Sequence, residues 1–202
     1  MEMNDRPANI VFDFGGVLMR HDREGCLQAL RRILSEEDIT NVLGYGNDRT
    51  DTLRHRFEIG QCSTQEFLSQ VLSHSRQGTT AQQVVDAWNT IHVGIPDSVW
   101  PQLERLRSKG HRLYLMSNTD DIHWQHTLAL YGDRVESLFD EVFLSFEEGM
   151  VKPDEAFFRE VNRRTGAAPA WFVDDVAVNR LAAERCVGWR TCASVEELME
   201  RA

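Results

Sequence analysis

Four short clusters in the chain each follow an apolar run and carry residue types able to do chemistry. In Phe12-Asp13-Phe14-Gly15-Gly16-Val17-Leu18 a carboxylate leaves an apolar stretch and two glycines follow. A carboxylate there is poorly solvated, and the glycines let backbone amides approach a ligand closely. Met116-Ser117-Asn118-Thr119 combines small hydroxyl and amide side chains at a helix start, the composition of a phosphate cradle. Val151-Lys152-Pro153-Asp154 holds a single cation in an acidic stretch, and Phe172-Val173-Asp174-Asp175 ends an apolar run in two adjacent acids. Adjacent carboxylates repel unless a cation neutralises them, and a hard divalent ion with oxygen ligands is the simplest such cation. Each cluster has a plainer reading: a turn aspartate, ordinary N-cap chemistry, a solvated surface lysine. Their order and placement set them apart.

The elements that must position these clusters can be read from hydrophobic pattern. Asn9–Phe12, Arg112–Met116, Glu141–Leu144, Ala170–Val173 and Trp189–Cys192 are short apolar runs without alternation, as expected of strands covered on both faces. Asp97–Lys109, Asp154–Thr165 and Val176–Val187 carry helical patterns, followed by Gly110, Gly166 and Gly188 as left-handed caps. Alternation of strand and helix predicts an α/β fold with a doubly wound parallel sheet and a Rossmann-like core. Between the first and second strands the pattern is helical throughout: Arg23–Leu34, Glu36–Leu43, Thr50–Ile59, Thr64–Ser73 and Ala81–His92, with Ser63 and Glu66 in capping-box spacing. The expected organisation is therefore a core of residues 1–18 and 95–202 with a helical cap, residues 19–94, inserted after strand 1. Ligands of open α/β sheets bind at the carboxyl ends of the strands, so an insert leaving from such an end sits over the site as a lid.

Composition bounds the function. The 202 residues carry a formal net charge of -10, which argues against a general nucleic-acid binder with its basic face. A small anionic substrate stays possible, because local cations or a metal reverse the field in one pocket. Cys26, Cys62, Cys186 and Cys192 form no Cys-x-x-Cys pair and read as reduced thiols of a cytoplasmic protein. No apolar run reaches the roughly 20 residues of a membrane span, and the first residues do not resemble a secretory signal.

The series Asp-x-x-Gly-Val, Ser-Asn-Thr, Lys-Pro and Asp-Asp, each after a successive strand, resembles the haloacid dehalogenase-like hydrolase superfamily. The resemblance covers the whole chain. It is close to the bacterial alpha-glucose-1-phosphatase-like subgroup, which is similar in Phe-Asp-x-Gly at strand 1, Gly60-Gln61-Cys62-Ser63-Thr64-Gln65-Glu66-Phe67 in the cap, Lys152-Pro153 and Asp174-Asp175. The resemblance implies a Mg²⁺-dependent phosphatase acting on a small phosphorylated metabolite, with Asp13 as the nucleophile that forms an aspartyl-phosphate. It implies that Ser117 binds the phosphoryl group, that Asn118 helps line the cradle, and that Lys152 neutralises nucleophile and phosphate. It further implies Mg²⁺ on Asp13, Asp175 and the Gly15 carbonyl, with Asp174 binding directly or through water. Asn179 stands where many relatives have a further acid behind the metal ligands.

One departure matters. The commonest family pattern places an aspartate, serving as acid and base, where this chain has Gly15; the glucose-1-phosphatase-like members also carry glycine there. Without that proton donor, sugar 1-phosphates, whose leaving hydroxyl is more acidic, are the expected better substrates. His21 and Asp22 are candidate replacements, although Asp22 also reads as a helix cap and His21 as a linker residue. His123 and His126 read as surface or cap-facing residues, and Arg49, Arg54 and Arg56 as a solvated helix face. The five tryptophans read as core and domain-contact residues. Two other functions fit the same scaffold: a metal-independent 2-haloacid dehalogenase, opposed by the Asp174-Asp175 pair, and a catalytically silent binding protein, supported by Gly15 alone. The expected partner is the small metabolite, with no nucleic acid or membrane, in a monomer or homodimer.

Overall fold

A computed structural model describes residues 8–44, 51–166 and 170–201. Five apolar segments form one parallel sheet: β1 (Asn9–Phe12), β4 (Arg112–Ser117), β5 (Glu141–Leu144), β6 (Ala170–Val173) and β7 (Arg190–Cys192), in the order β5-β4-β1-β6-β7. The order changes direction at β1, the central strand. Alternate residues divide between two buried faces. Ile10 and Phe12 of β1, Leu113 and Leu115 of β4, and Trp171 and Val173 of β6 pack under α6 (Val99–Ser108), α7 (Asp121–Leu138) and α11 (Val195–Arg201). Val11, Tyr114, Met116 and Phe172 pack under α9 (Glu155–Thr165) and α10 (Ala177–Val187). Both faces are covered, which is why the strands read as unbroken apolar runs. Gly110, Gly166 and Gly188 all take positive φ just past their helices.

The insert between β1 and β4 holds α1 (Arg23–Leu30), α2 (Glu36–Asn41), α3 (Leu53–Glu58), α4 (Thr64–His74) and α5 (Ala81–Asn89). Side-chain caps start all five: Asp22, Ser35, Thr52, and the capping boxes Ser63/Glu66 and Thr80/Gln83. These helices bury a core of their own, including Leu30, Phe57, Phe67 and Trp88, closed from the other side by Ile122 of α7. Several helices are shorter than their patterns suggest. The first stops at Leu30 because the chain turns there, and the Ile33 carbonyl accepts from Arg76 N (2.9 Å) instead of extending the helix. The last stops at Asn89 because His92–Gly94 (β3) pairs antiparallel with Arg20–His21 (β2). This two-stranded ribbon, which no hydrophobic pattern announces, carries both crossings between core and insert. Arg49 and Thr50 lie outside the described residues. The short helix α8 (Ser145–Glu148) follows β5 and ends at Gly149 with φ 67°.

Candidate active site

Register brings the first and fourth clusters together. Phe12 pairs with Val173, and Asp13 N donates to Val173 O at 2.7 Å, so Asp13 and Asp174 leave adjacent strands at one level. The chain between α8 and α9 delivers Lys152 between them. Its Nζ lies 2.6 Å from Asp13 Oδ1 and 2.8 Å from Asp174 Oδ2, and all three side chains are buried. One carboxylate oxygen from each of Asp13, Asp174 and Asp175 lies within 4.8 Å of the others. Asp175, the exposed member, leans over Gly16: a Cβ at Gly16 would stand 2.4 Å from Asp175 Oδ2, and φ there is 82°. Glycine is thus required at that position both for space and for backbone conformation.

The three acids have different surroundings. Asp174 accepts from Lys152 Nζ, from Val176 N (2.9 Å) and from Asn179 Nδ2 on both oxygens (3.1 Å), so it is the most heavily braced. Asn179 thereby supports Asp174 with donors in place of a further acid. Burial raises Asp13 to about 7; Lys152 opposes the rise and the Asp174 charge adds to it. Burial also raises Asp175, helped by the neighbouring Asp174. Burial pulls the Lys152 ammonium down, but Asp13 and Asp174 outweigh it and leave the group above its ordinary value.

The second cluster completes the floor. Ser117 ends β4, buried, beside the site. Asn118 acts as a positioning residue, since its Oδ1 accepts from Lys152 N (2.8 Å) and its Nδ2 donates to Lys152 O (2.9 Å). Its amide therefore fixes the backbone that carries the lysine.

Above this floor a cavity of about 400 Å³ opens between core and insert. Gly15, Ser117 and Asn118 line it below; Arg23, Arg54, Glu58, Trp88 and His92 line it from the insert. Arg54, read from sequence as part of a solvated face, is a cavity residue ion-paired to Glu58 at 2.8 Å. Arg56 instead donates to Gln70 at 3.1 Å. Burial raises the Glu58 carboxyl, with Arg54 opposing. His21 also faces the cavity, and Asp22 caps α1 as expected, accepting from Gly25 N at 2.8 Å. The His21 ring stacks on His92 (5.4 Å between centroids, 12° between planes) and occupies the space beside Gly15, where an added Cβ would lie 2.1 Å from Cε1. Burial lowers His21, and His123 adds to the effect; burial with the neighbouring histidines lowers His92 to about 3.

His123 is no surface residue. It is buried and faces the insert, with Nδ1 2.9 Å from Asp120 Oδ2 and Nε2 3.1 Å from Trp88 O. Burial pulls its value down, but the Asp120 charge and hydrogen bond, with the Trp88 carbonyl, together outweigh burial and leave it raised. All five tryptophans are buried, and Trp88 makes the expected contact between the two parts, donating from Nε1 to Asp120 Oδ2 at 2.9 Å. Nothing in the sequence pattern singles out Glu58, Trp88 or His92 as cavity residues. Glu58 and Arg54 do stand at i,i+4 on one helix, a spacing that marks an ion pair but not what it faces. No helix among the described residues is long and apolar enough to cross a membrane.

Comparison with known proteins places this geometry in a family. The sequence profile of the haloacid dehalogenase-like hydrolases, described as hydrolases, matches residues 8–186. The chain is 27% identical over 177 residues to a D-ribitol-5-phosphate phosphatase of Bacteroides thetaiotaomicron, covering 85% of this chain and 84% of that protein. It is 29% identical over 202 residues to a sesquiterpene phosphatase of Aspergillus oryzae, covering 94% and 92%. Among solved structures, a Bacteroides thetaiotaomicron enzyme of the family, in complex with magnesium and inorganic phosphate, superposes with a TM-score of 0.81 at 29% identity, covering 93% of this chain and 94% of that one. A hydrolase of the same family from Porphyromonas gingivalis gives a TM-score of 0.81 at 31% identity, covering 93% and 91%. A five-stranded parallel sheet with β1 at its centre, acids and a lysine gathered at its strand ends, and a profile match across most of the length lead to one conclusion: the chain belongs to the haloacid dehalogenase-like hydrolases.

Proposed function

We propose that this protein is a Mg²⁺-dependent phosphatase that hydrolyses a small phosphorylated metabolite, a sugar or polyol phosphate, through an aspartyl-phosphate on Asp13. The observation that carries the reading is the Lys152 ammonium held 2.6 Å from Asp13 and 2.8 Å from Asp174, with Asp175 alongside. Such a lysine lets an anionic nucleophile approach an anionic substrate. The phosphatase names of two relatives, and the magnesium and phosphate of the Bacteroides structure, support it.

Three clustered carboxylates are a hard oxygen set that suits Mg²⁺. Asp13, Asp175 and the Gly15 carbonyl would hold the ion, with Asp174 binding directly or through water. Once bound, it supplies charge neutralisation and orientation of the phosphoryl group. In the first step an Asp13 carboxylate oxygen attacks phosphorus, the bond to the ester oxygen breaks, and the alcohol leaves with a proton from solvent. Water then attacks phosphorus, the bond to Asp13 breaks, and phosphate departs as the carboxylate is restored. Ser117 and Lys152 hold the phosphoryl oxygens, while Asn118 steadies Lys152. Residues 19–94 act as a cap domain on a core of residues 1–18 and 95–202 and exclude water from the reaction. With glycine at position 15, leaving groups that are already acidic react best, which favours sugar 1-phosphates over 6-phosphates.

The test is phosphate release from p-nitrophenyl phosphate with Mg²⁺ and with EDTA. Activity should require Mg²⁺, and Asp175→Ala should mimic chelation. Asp13→Asn should lower turnover more than about a thousandfold while the fold survives. An EDTA-insensitive rate would remove the Mg²⁺ requirement, and no phosphate release in either condition is the outcome that the dehalogenase reading expects. Comparison of kcat/KM for glucose 1- and 6-phosphate checks the leaving-group preference, and a faster 6-phosphate removes it.

A further inference from the structure

The cavity above Ser117 has a wall whose chemistry the phosphoryl step does not use. Arg54 and Glu58 lie one turn apart on α3 and pair at 2.8 Å within that wall, opposite Gly15 and Ser117. We infer that the Arg54–Glu58 pair is the element that selects the organic part of the substrate, and that it selects a hydroxylated carbon chain by hydrogen bonding. The inference rests on the phosphatase reading and deepens it.

Stability is a weak reason for this pair. A half-buried ion pair on a helix returns little of the cost of taking its charges out of water, and apolar residues of similar size often serve a fold as well. Its chemistry suits a ligand better. A guanidinium offers several donors in a rigid fork, and a carboxylate offers acceptors only. Side by side they match hydroxyl groups, each of which both donates and accepts. A purely anionic group would meet the Glu58 charge, and a hydrocarbon would take water from the pair while offering it no hydrogen bond. The position is also fixed with respect to the core. Two residues past Glu58, Gly60 lies so close to the Phe146 carbonyl that a Cβ would stand 2.1 Å from its oxygen. The α3 end is thereby seated on the core, so the distance from the pair to the phosphoryl site is set by packing. The two phosphatase relatives act, by name, on a polyol phosphate and on a terpenoid phosphate, and this wall favours the first chemistry.

The experiment measures kcat/KM for a pentitol 5-phosphate and for n-pentyl phosphate, with p-nitrophenyl phosphate as reference, all with Mg²⁺. Both aliphatic esters have the same chain length, and they differ in hydroxyl groups. The expected result is a preference for the pentitol ester of about 10²-fold or more in the native protein, because a site built to hydrogen-bond hydroxyls discriminates strongly against analogues lacking them. Glu58→Gln and Arg54→Met should each reduce that ratio at least about tenfold, with the loss concentrated on the pentitol ester. A ratio near one in the native protein overturns the inference without any variant. Equal losses on both esters in the variants also overturn it, since they would mark the pair as a structural brace. If the native protein hydrolyses none of the three esters, the phosphatase reading itself falls.

Discussion

Asp13 stands between burial, which discourages its charge, and Lys152, which favours it. Its value in the metal-free protein, about 7, lies above the 3.8 of an ordinary aspartate. The folded protein therefore holds a proton that the unfolded chain has already released at intermediate pH. The stability this group contributes is present below 3.8 and is lost as pH rises through about 7. A cation on the acid cluster must displace that proton, so stabilisation by Mg²⁺ should grow between about pH 5 and about pH 8. Thermal unfolding with and without Mg²⁺ across that range checks it, and Asp13→Asn should flatten the dependence. A second prediction concerns the glycine two residues on. Installing a carboxylate by Gly15→Asp drives its Cβ into the His21 ring, 2.1 Å away. The single variant should lose activity on all esters. Combined with His21→Ala it gains room, and the new acid should then raise the rate on glucose 6-phosphate relative to the 1-phosphate by about tenfold or more. A double variant with no relative gain would show that an acid at position 15 does not reach the leaving oxygen.

Among the elements, α3 has only six residues and depends on its neighbours for its place. Its start is held by the Thr52 hydroxyl accepting from His55 N at 3.2 Å, and its end runs into Gly60 at φ 68°. Two requirements meet at Gly60, a left-handed backbone and the absence of a side chain against Phe146. Gly60→Ala violates both. The expected cost is about 1–3 kcal/mol in denaturant unfolding, together with a weaker preference between ester substrates, because α3 must shift off the core. An unchanged unfolding midpoint would mean that the loop relaxes without moving the helix. The β2–β3 ribbon is an element of the opposite kind. It consists of two and three residues, too short for any periodicity to register, and exists because the chain must leave and re-enter the core at one point.

At the scale of the whole molecule, the two parts are joined chiefly at the start of α7. Asp120 is fully buried there, accepts from Trp88 Nε1, pairs with His123 Nδ1 and caps the helix through His123 N at 3.0 Å. Thr64 adds a hydrogen bond to Asp121 at 2.5 Å. Asp120→Ala removes the partner of a buried cation, which costs about 3–5 kcal/mol in comparable cases. For a chain of this size, each kcal/mol corresponds to about 2–4 °C in Tm. The sign with pH is determined by His123. Its value is raised in the folded protein, so the stability of the pair is complete below the ordinary histidine value of 6.5 and is lost as pH rises through the folded value. The Tm difference between native protein and variant should accordingly shrink on the alkaline side. A difference independent of pH would assign the loss to the cap and the tryptophan bond rather than to the ion pair.

The sequence by itself determined the sheet, its flanking helices and the residues gathered at the strand ends. Strand runs such as Val11 and Phe12, helix stops such as Gly166 and Gly188, and the carboxylate following β1 are local signals, written in a few consecutive residues whose preferences agree with the fold. Tertiary structure decided what the local signals leave open. Asn118 reads from sequence as part of a cradle; that its amide also braces the backbone of Lys152, 34 residues away in the chain, is visible only in the tertiary structure. Arg54 reads as a solvated residue on a short polar helix until α3 is seated against the core, where it faces a cavity instead. His21 reads as a linker until β2 pairs with β3 and swings its ring over Gly15. The physical reason is the same in each case. These side chains have two environments of similar local energy, and only contacts between residues distant in sequence, made when the insert closes on the core, separate them.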